Sequence, residues 1–555
     1  MASIPSQDLE SQTRKISDIA SDIGLLPIEV EPFGFQKAKV TMSAYQRLAN
    51  KPMGKLVLVT SINPTPAGEG KTTTTIGLAD ALQKLGYKSM VCLRQPSMGP
   101  VFGIKGGATG GGKSTVFPQD DINLHFTGDM HAVTAAHNLL AAVIDNHLHH
   151  GNELRFDPTR ITIRRILDMN DRTLRHIVTG LGGSKNGHPR ETGFDITASS
   201  EIMAILCLSE NYKQLKERLS NIIVGYNTQG MEIFVRDLHV HKAMAVVLRD
   251  ALKPNLVQTS YGTPAFIHGG PFANIAHGCN SLVATKLALR LSEVVVTEAG
   301  FATDLGAEKF FNIKCRVGNL EPDVAVIVAT AKALKLHGGM AKGDLDKEGL
   351  EELARGFENL AKHIENIRFF GVPCVVAINK FPNDHTSELT WLKEAVAQTG
   401  VPVALSEVFE NGAEGGVNLA SQVTNLFSAK KKFDFLYPLE MPLAEKLNVI
   451  ARCCYGADGI EFSKTAREQL ALYEKMGYRK LPICVAKTQY SLSDNPALLA
   501  RPQNFRIFIR EARLAAGAGF VIAVAGEIMT MPGLPKAPSL QKLDIDDSGT
   551  IFGLS

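Results

Sequence analysis

Charge of one sign is what this sequence of 555 residues most plainly lacks. Lys and Arg number 59 against 56 for Asp and Glu, a formal charge of +3, too little for a chain of this length to build a nucleic-acid-binding field. The short basic run Lys430–Lys432 reads as a solvated stretch near a loop. Long hydrophobic runs are missing as well. None approaches the roughly 18 apolar residues of a membrane span, and the most apolar, 324–330 and 520–525, have the length of buried strands. The opening residues carry Asp8 and Glu10 where a secretory signal needs a basic region and an apolar core. Eight cysteines, at 92, 207, 279, 315, 374, 453, 454 and 484, include no Cys-x-x-Cys pair, and most lie in apolar runs, as reduced core residues do. These absences argue against nucleic-acid, membrane and secreted classes, and the expectation is a soluble, cytoplasmic protein.

What is present is an ordinary globular composition, 45% hydrophobic and 21% charged, in a chain long enough for about three or four folding units. Short Val- and Ile-rich runs alternate with longer stretches of helical period, the rhythm of parallel strands joined by crossover helices. The pattern predicts an α/β fold with strands over 56–62, 89–93, 160–166, 293–297, 324–330, 374–378, 401–405, 483–486 and 520–525. Helices are predicted over 72–85, 129–147, 198–206, 346–365 and 463–476. The glycine-bearing tract 338–349 and the Lys- and Pro-bearing tract 430–442 break that rhythm and are candidate seams. The division expected is a P-loop NTPase-type parallel-sheet domain over 1–320, with smaller α/β domains over 321–435 and 436–555. The tail 531–538, with Pro532, Pro535 and Pro538, cannot be regular helix and is expected to wrap the surface or line a cleft.

The most informative residues are Thr65-Pro66-Ala67-Gly68-Glu69-Gly70-Lys71-Thr72, set between a predicted strand and a predicted helix. Gly68 and Gly70 let backbone N–H groups turn onto phosphate oxygens, the helix starting at Lys71 points its positive end at them, and the Lys71 ammonium reaches the terminal phosphates. Thr72 is the expected Mg2+ ligand through its hydroxyl. Thr65 stands where the motif has its first Gly, so one position departs from G-x-x-x-x-G-K-[ST]. Asn379-Lys380-Phe381-Pro382 follows a strand as a guanine-reading motif would, but Pro382 replaces the necessary Asp, which favours ATP. No strand ends in a Walker B Asp; the nearest equivalent is Glu298.

Other candidates are less specific. In the tract 103–113, five of the seven residues from Gly106 to Gly112 are glycine. A flexible linker and a loop that closes over substrate, with Lys105 supplying charge, are equally open readings. Arg94 follows a strand end, where open α/β sheets contact ligands, and its planar fork suits a carboxylate or acyl phosphate. A surface ion pair is the alternative. Asp129 precedes a helix and reads as an N-cap that also faces the phosphate site. His268 lies in a glycine-rich loop as a turn residue or a proton shuttle. The His125/His131/His137 and His147/His149/His150 groups lack the spacing of a metal site.

From about residue 30 to the C-terminus the chain resembles the formate–tetrahydrofolate ligases. The segments that carry the likeness are 65–72, Glu191-Thr192-Gly193-Phe194-Asp195-Ile196-Thr197-Ala198, 270–280, 487–493 and 526–535. The resemblance implies ATP-dependent ligation of formate to tetrahydrofolate through formyl phosphate. Lys71 and Mg2+ would neutralise charge in the first step, Arg94 would hold the acyl phosphate, and Asp129 and His268 would position groups or move protons. It also implies a pterin slot walled by Phe301, Phe381 and Phe409, and a homotetramer. Several positions depart from the family pattern. Phe409 stands where many relatives carry Trp, Lys332 where Arg is usual, and Thr109 and Lys113 where Ala and Tyr are. Gln95 replaces a Glu linked to monovalent-cation binding, which argues against activation by K+. The competing reading is a P-loop switch ATPase acting on a protein partner. It accounts for 68–72 and gives no reason for Phe301, Phe381 or a separate C-terminal segment.

Overall fold

The computed structural model describes residues 13–65, 68–105 and 107–554. One large sheet organises the first three-quarters of the chain. Its strands are β1 (Val30–Pro32), β2 (Ala38–Val40), β3 (Lys55–Ser61), β4 (Ser89–Leu93), β5 (Ser114–Phe117), β6 (Asn255–Thr259), β7 (Pro264–Ile267), β8 (Val294–Glu298), β9 (Val324–Ala329), β10 (Cys374–Asn379) and β11 (Val403–Ser406). They lie in the order β1-β2-β6-β7-β4-β8-β3-β9-β10-β11, with β5 paired to β6. Every pairing from β7 to β11 is parallel, whereas β1, β2 and β6 run antiparallel to their neighbours. The central strands are largely apolar because helices cover both faces; β8 and β9 are buried along their whole length. Seven parallel strands therefore deliver the loops that follow them to one rim of the sheet.

Four helices matter for that rim: α1 (Lys71–Lys84), α2 (Asp129–His149), α3 (Ala331–His337) and α4 (Leu350–Phe369). The tract 338–349 is not a seam but the connection between α3 and α4. The two helices pack so closely that a Cβ at Gly356 would overlap the Leu334 carbonyl. The expected strand 160–166 is two, Phe156–Ile161 and Arg165–Leu167, and neither joins the large sheet. The sheet also runs unbroken across residue 320, since β9 pairs with β3.

A second sheet follows, with β12 (Gly459–Phe462), β13 (Ile483–Ala486), β14 (Arg506–Ala515) and β15 (Phe520–Ala525) in the order β12-β14-β15-β13. Tyr437, 1% exposed, joins it to the rest by accepting a hydrogen bond from the Ile483 N–H at 3.0 Å. One apolar cluster runs from residues under the large sheet into this second one. The proline-bearing tail contains no regular helix over 531–538. It lies across the 172–196 segment, where Ile196 N–H donates to the Thr530 carbonyl and Arg175 Nε to that of Met531. Among the described residues no helix is long and apolar enough to cross a membrane.

Candidate functional site

The loop between β3 and α1 opens the rim. Gly68 and Gly70 both take positive φ, +77° and +71°, a conformation that costs other L-residues 1–2 kcal/mol or so. Gly70 is the N-cap of α1, so the first turn's free N–H groups face the mouth of the loop. The Glu69 carboxylate accepts from Thr65 N–H at 2.6 Å, and its burial pushes that carboxyl up to about 7. From the far side Asn379, at the end of β10, donates its Nδ2 to the Glu69 carbonyl at 3.1 Å. Pro66 and Ala67, also expected in this loop, lie outside the described residues.

Lys71 and Thr72 point in different directions from the start of α1. Lys71 Nζ donates to the Phe301 carbonyl at 3.1 Å, an oxygen that also takes the Ser61 hydroxyl at 3.0 Å. Burial holds the Lys71 ammonium below the ordinary lysine value, with Glu298 opposing that shift and Arg94 adding to it. Thr72 Oγ1 donates to Glu298 Oε2 at 2.8 Å. Glu298 ends β8, is 5% exposed, and turns its other oxygen toward Arg94 Nη2 at 3.8 Å. One carboxylate thus sits between the helix-start hydroxyl and the guanidinium, where the sequence placed a Walker B equivalent. Hard oxygen donors at this position fit a divalent cation. Arg94 Nη1 donates to the Pro271 carbonyl at 3.3 Å, while its buried Nε has no partner among the described residues. The Arg94 side chain as a whole remains 21% exposed.

Asp129 and His268 stand one layer behind Arg94. Gly128, with φ +94°, is the N-cap of α2, so Asp129 is its first helical residue and not the cap. Its carboxylate is consumed by Lys39 Nζ at 2.7 Å and Asn255 Nδ2 at 2.7 Å. Asn255 also donates to the Ile267 carbonyl, and the next residue, His268, donates its N–H to the Leu93 carbonyl. The His268 ring is wholly buried, which pushes it down to about 4, so it is neutral at physiological pH. Nε2 lies 2.6 Å from the Ala251 carbonyl and therefore carries the proton; Nδ1 faces the Ser281 hydroxyl at 2.6 Å. Both nitrogens are engaged inside the protein, and the pair holds the 268–271 loop against the Arg94 segment.

The three phenylalanines follow the ends of β8, β10 and β11, on the same rim. Phe301 is held at φ +60°, an outlier for an aromatic residue, with its carbonyl tied to Lys71 and Ser61. Phe381 has the Lys332 ammonium 5.6 Å from its ring centre. Phe409 is 52% exposed and lies over Gly111 and Gly112, close enough that a Cβ at either would press on it. The glycine tract is therefore no linker. Gly110–Gly111 pairs with Ser114–Thr115 and the Lys113 N–H donates to the Phe409 carbonyl at 2.9 Å; the Lys105 side chain lies outside the described part. Gln95 is buried, and its Oε1 has no partner among the described residues.

Sequence reasoning missed the groups that tie this rim to the second sheet. Lys487 and Asp304, both wholly buried, pair at 2.8 Å. Asn63, just after β3, donates to the Gln489 carbonyl at 3.2 Å and accepts from Asn359 of α4 at 2.9 Å. Their only local signal is a polar residue at the end of an apolar strand. In comparison with known families, the model of the family described as formate–tetrahydrofolate ligase matches residues 6–555.

Proposed function

Because the chain belongs to the formate–tetrahydrofolate ligase family, and so is an ATP-dependent ligase of one-carbon metabolism that acts on formate and tetrahydrofolate, we propose that the rim described above carries out its reaction in two steps. A formate oxygen attacks the γ-phosphorus of ATP and ADP leaves, giving formyl phosphate. N10 of tetrahydrofolate then attacks the formyl carbon, phosphate leaves with the C–O bonding pair, and the N10 proton passes to solvent. Formate needs the first step because its direct leaving group would be oxide.

The assignment of roles rests above all on Glu298, which brings Thr72 and Arg94 to one point. The 68–72 loop binds the ATP phosphates, with Lys71 neutralising charge that builds during transfer. Thr72 and Glu298 are the residues that would hold Mg2+, which when bound would supply charge stabilisation to the transferring phosphate. Arg94 grips the acyl phosphate through the exposed part of its fork. Asp129 and His268 act as positioning residues, since neither has an atom free for proton transfer. Phe301, Phe381 and Phe409 wall the pterin slot, each stacked pair contributing on the order of 1 kcal/mol beyond burial. By family likeness we also propose a homotetramer in the cytoplasm; sedimentation at four chain masses tests the assembly.

The deciding experiment measures ADP release with Mg-ATP while following formyltetrahydrofolate by its acid conversion to methenyltetrahydrofolate. ADP that requires both formate and tetrahydrofolate and matches product mole for mole is the expected result. ADP release indifferent to either would overturn the scheme.

A further inference from the structure

The peptide joining Glu69 to Gly70 is gripped by a side chain that the scheme above does not use. Asn379 is the last residue of β10, is 5% exposed, and pairs through its backbone with Ser406 of β11. Its Nδ2 donates to the Glu69 carbonyl at 3.1 Å. The approach is so close that a Cβ on Gly70 would overlap that nitrogen. Gly70 is thus required twice over, by its φ of +71° and by the amide beneath it.

In a planar trans peptide the C=O and the following N–H point in opposite directions. Fixing the Glu69 carbonyl on the sheet side therefore fixes the Gly70 N–H on the side of the loop mouth. Gly70 in the left-handed region followed by Lys71 in the right-handed helix makes successive N–H groups converge, the geometry of an anion nest. We propose that Asn379 is a positioning residue for ATP: by holding the Glu69 carbonyl it aims the Gly70 N–H at the phosphates before nucleotide arrives. Without it the 69–70 peptide is free to rotate, and binding must bear the cost of ordering it. The inference rests on reading 68–72 as the phosphate site. It also gives Asn379 a use in a segment where Pro382 has removed the base-reading Asp.

The test is calorimetric titration of Mg-ADP, with tetrahydrofolate titrated separately, into the full-length protein and its variants. Asn379→Ala is expected to weaken Mg-ADP binding roughly fivefold to tenfold, the worth of one hydrogen bond, and to leave tetrahydrofolate affinity within about twofold. Asn379→Asp keeps the shape but, ionised, cannot donate to a carbonyl; protonated, its O–H can. Ionised at pH 8, as a carboxyl with an ordinary value of about 3.9 is, it should weaken Mg-ADP binding at least as much as Asn379→Ala. Mg-ADP affinity unaltered in folded Asn379→Ala, or equal weakening of both ligands, overturns the proposal. If the alanine variant does not fold, wild-type Mg-ADP affinity in Asn379→Asp at pH 8 does the same. Lys71→Ala serves as the reference. Nucleotide binding weakened there but not in Asn379→Ala refutes this inference alone, and binding unaltered in both removes the phosphate-loop reading.

Discussion

Lys71 is enclosed, its charge disfavoured by burial and supported by Glu298, so it gains most when phosphoryl oxygens bring negative charge beside it. Replacing it by Ala removes that stabilisation at little cost to packing. The expected result is a fall in kcat of about 10²–10³, equivalent to ~3–4 kcal/mol, with circular dichroism unchanged. Arg94→Ala should behave differently. In its proposed place on the acyl phosphate Arg94 serves the second step, so formyl transfer from added formyl phosphate should drop about 10²-fold while Mg-ADP binding holds within a few-fold, and equal loss of both would refute its placement. Glu69 gives a prediction in pH. Burial raises its folded-state carboxyl from 4.5 to about 7, so the native state holds the proton more tightly than the unfolded chain. Ionised Glu69 therefore costs stability, in full above pH 7 and progressively less as pH falls to 4.5. The shift corresponds to roughly 3 kcal/mol. Glu69→Gln keeps an acceptor for Thr65 N–H and has no charge to bury, so it should melt near wild type at pH 4.5 and above it at pH 8.

Helix α1 shows how an element couples the two halves of the site. Its N-terminus carries Lys71 and Thr72, and about one and a half turns later Gly77 lies against the segment that bears Phe409. A Cβ on Gly77 would overlap the Val408 side chain. In an exposed helix Gly→Ala gains close to 1 kcal/mol, but here overpacking of about 1–3 kcal/mol works against it. Gly77→Ala should lower the melting temperature and raise KM for tetrahydrofolate more than for ATP; a more stable variant with unaltered KM values would contradict the packing. The same helix was easy to read from sequence, because its start and end lie within one short stretch. Strands 89–93, 483–486 and 520–525 match their predicted bounds for a related reason: buried parallel strands are continuous apolar runs. β6 was not legible, since Asn-Leu-Val-Gln-Thr is half polar and its burial depends on distant partners such as Asp129. Asp129 failed as an N-cap on the same ground. What its carboxylate meets is Lys39, ninety positions away in the chain.

At the scale of the whole molecule, the large sheet gathers on one rim residues spread from Thr65 to Phe409, and local motifs pointed to most of them because a strand end followed by a glycine, a charge or an aromatic group is itself a short pattern. What ties that rim to the second sheet was invisible, since Asp304–Lys487 and Asn63–Gln489 exist only once the chain has closed on itself. That closure also governs the thiols. All eight cysteines are unpaired, seven are buried and Cys453 alone is half-buried. Burial pushes Cys92 and Cys207 up to about 12 and Cys279, Cys374 and Cys484 up to about 11, which suppresses the thiolate as well as access to it. Titrating the native protein with an aromatic disulfide at pH 8 should therefore modify one thiol at an early stage. The remaining seven should react only as fast as the fold opens, and eight should appear at once in denaturant. Cys454 and Cys484 reacting ahead of the other buried thiols, or Mg-ATP retarding those others but not these two, would mean that the second sheet opens independently of the rim.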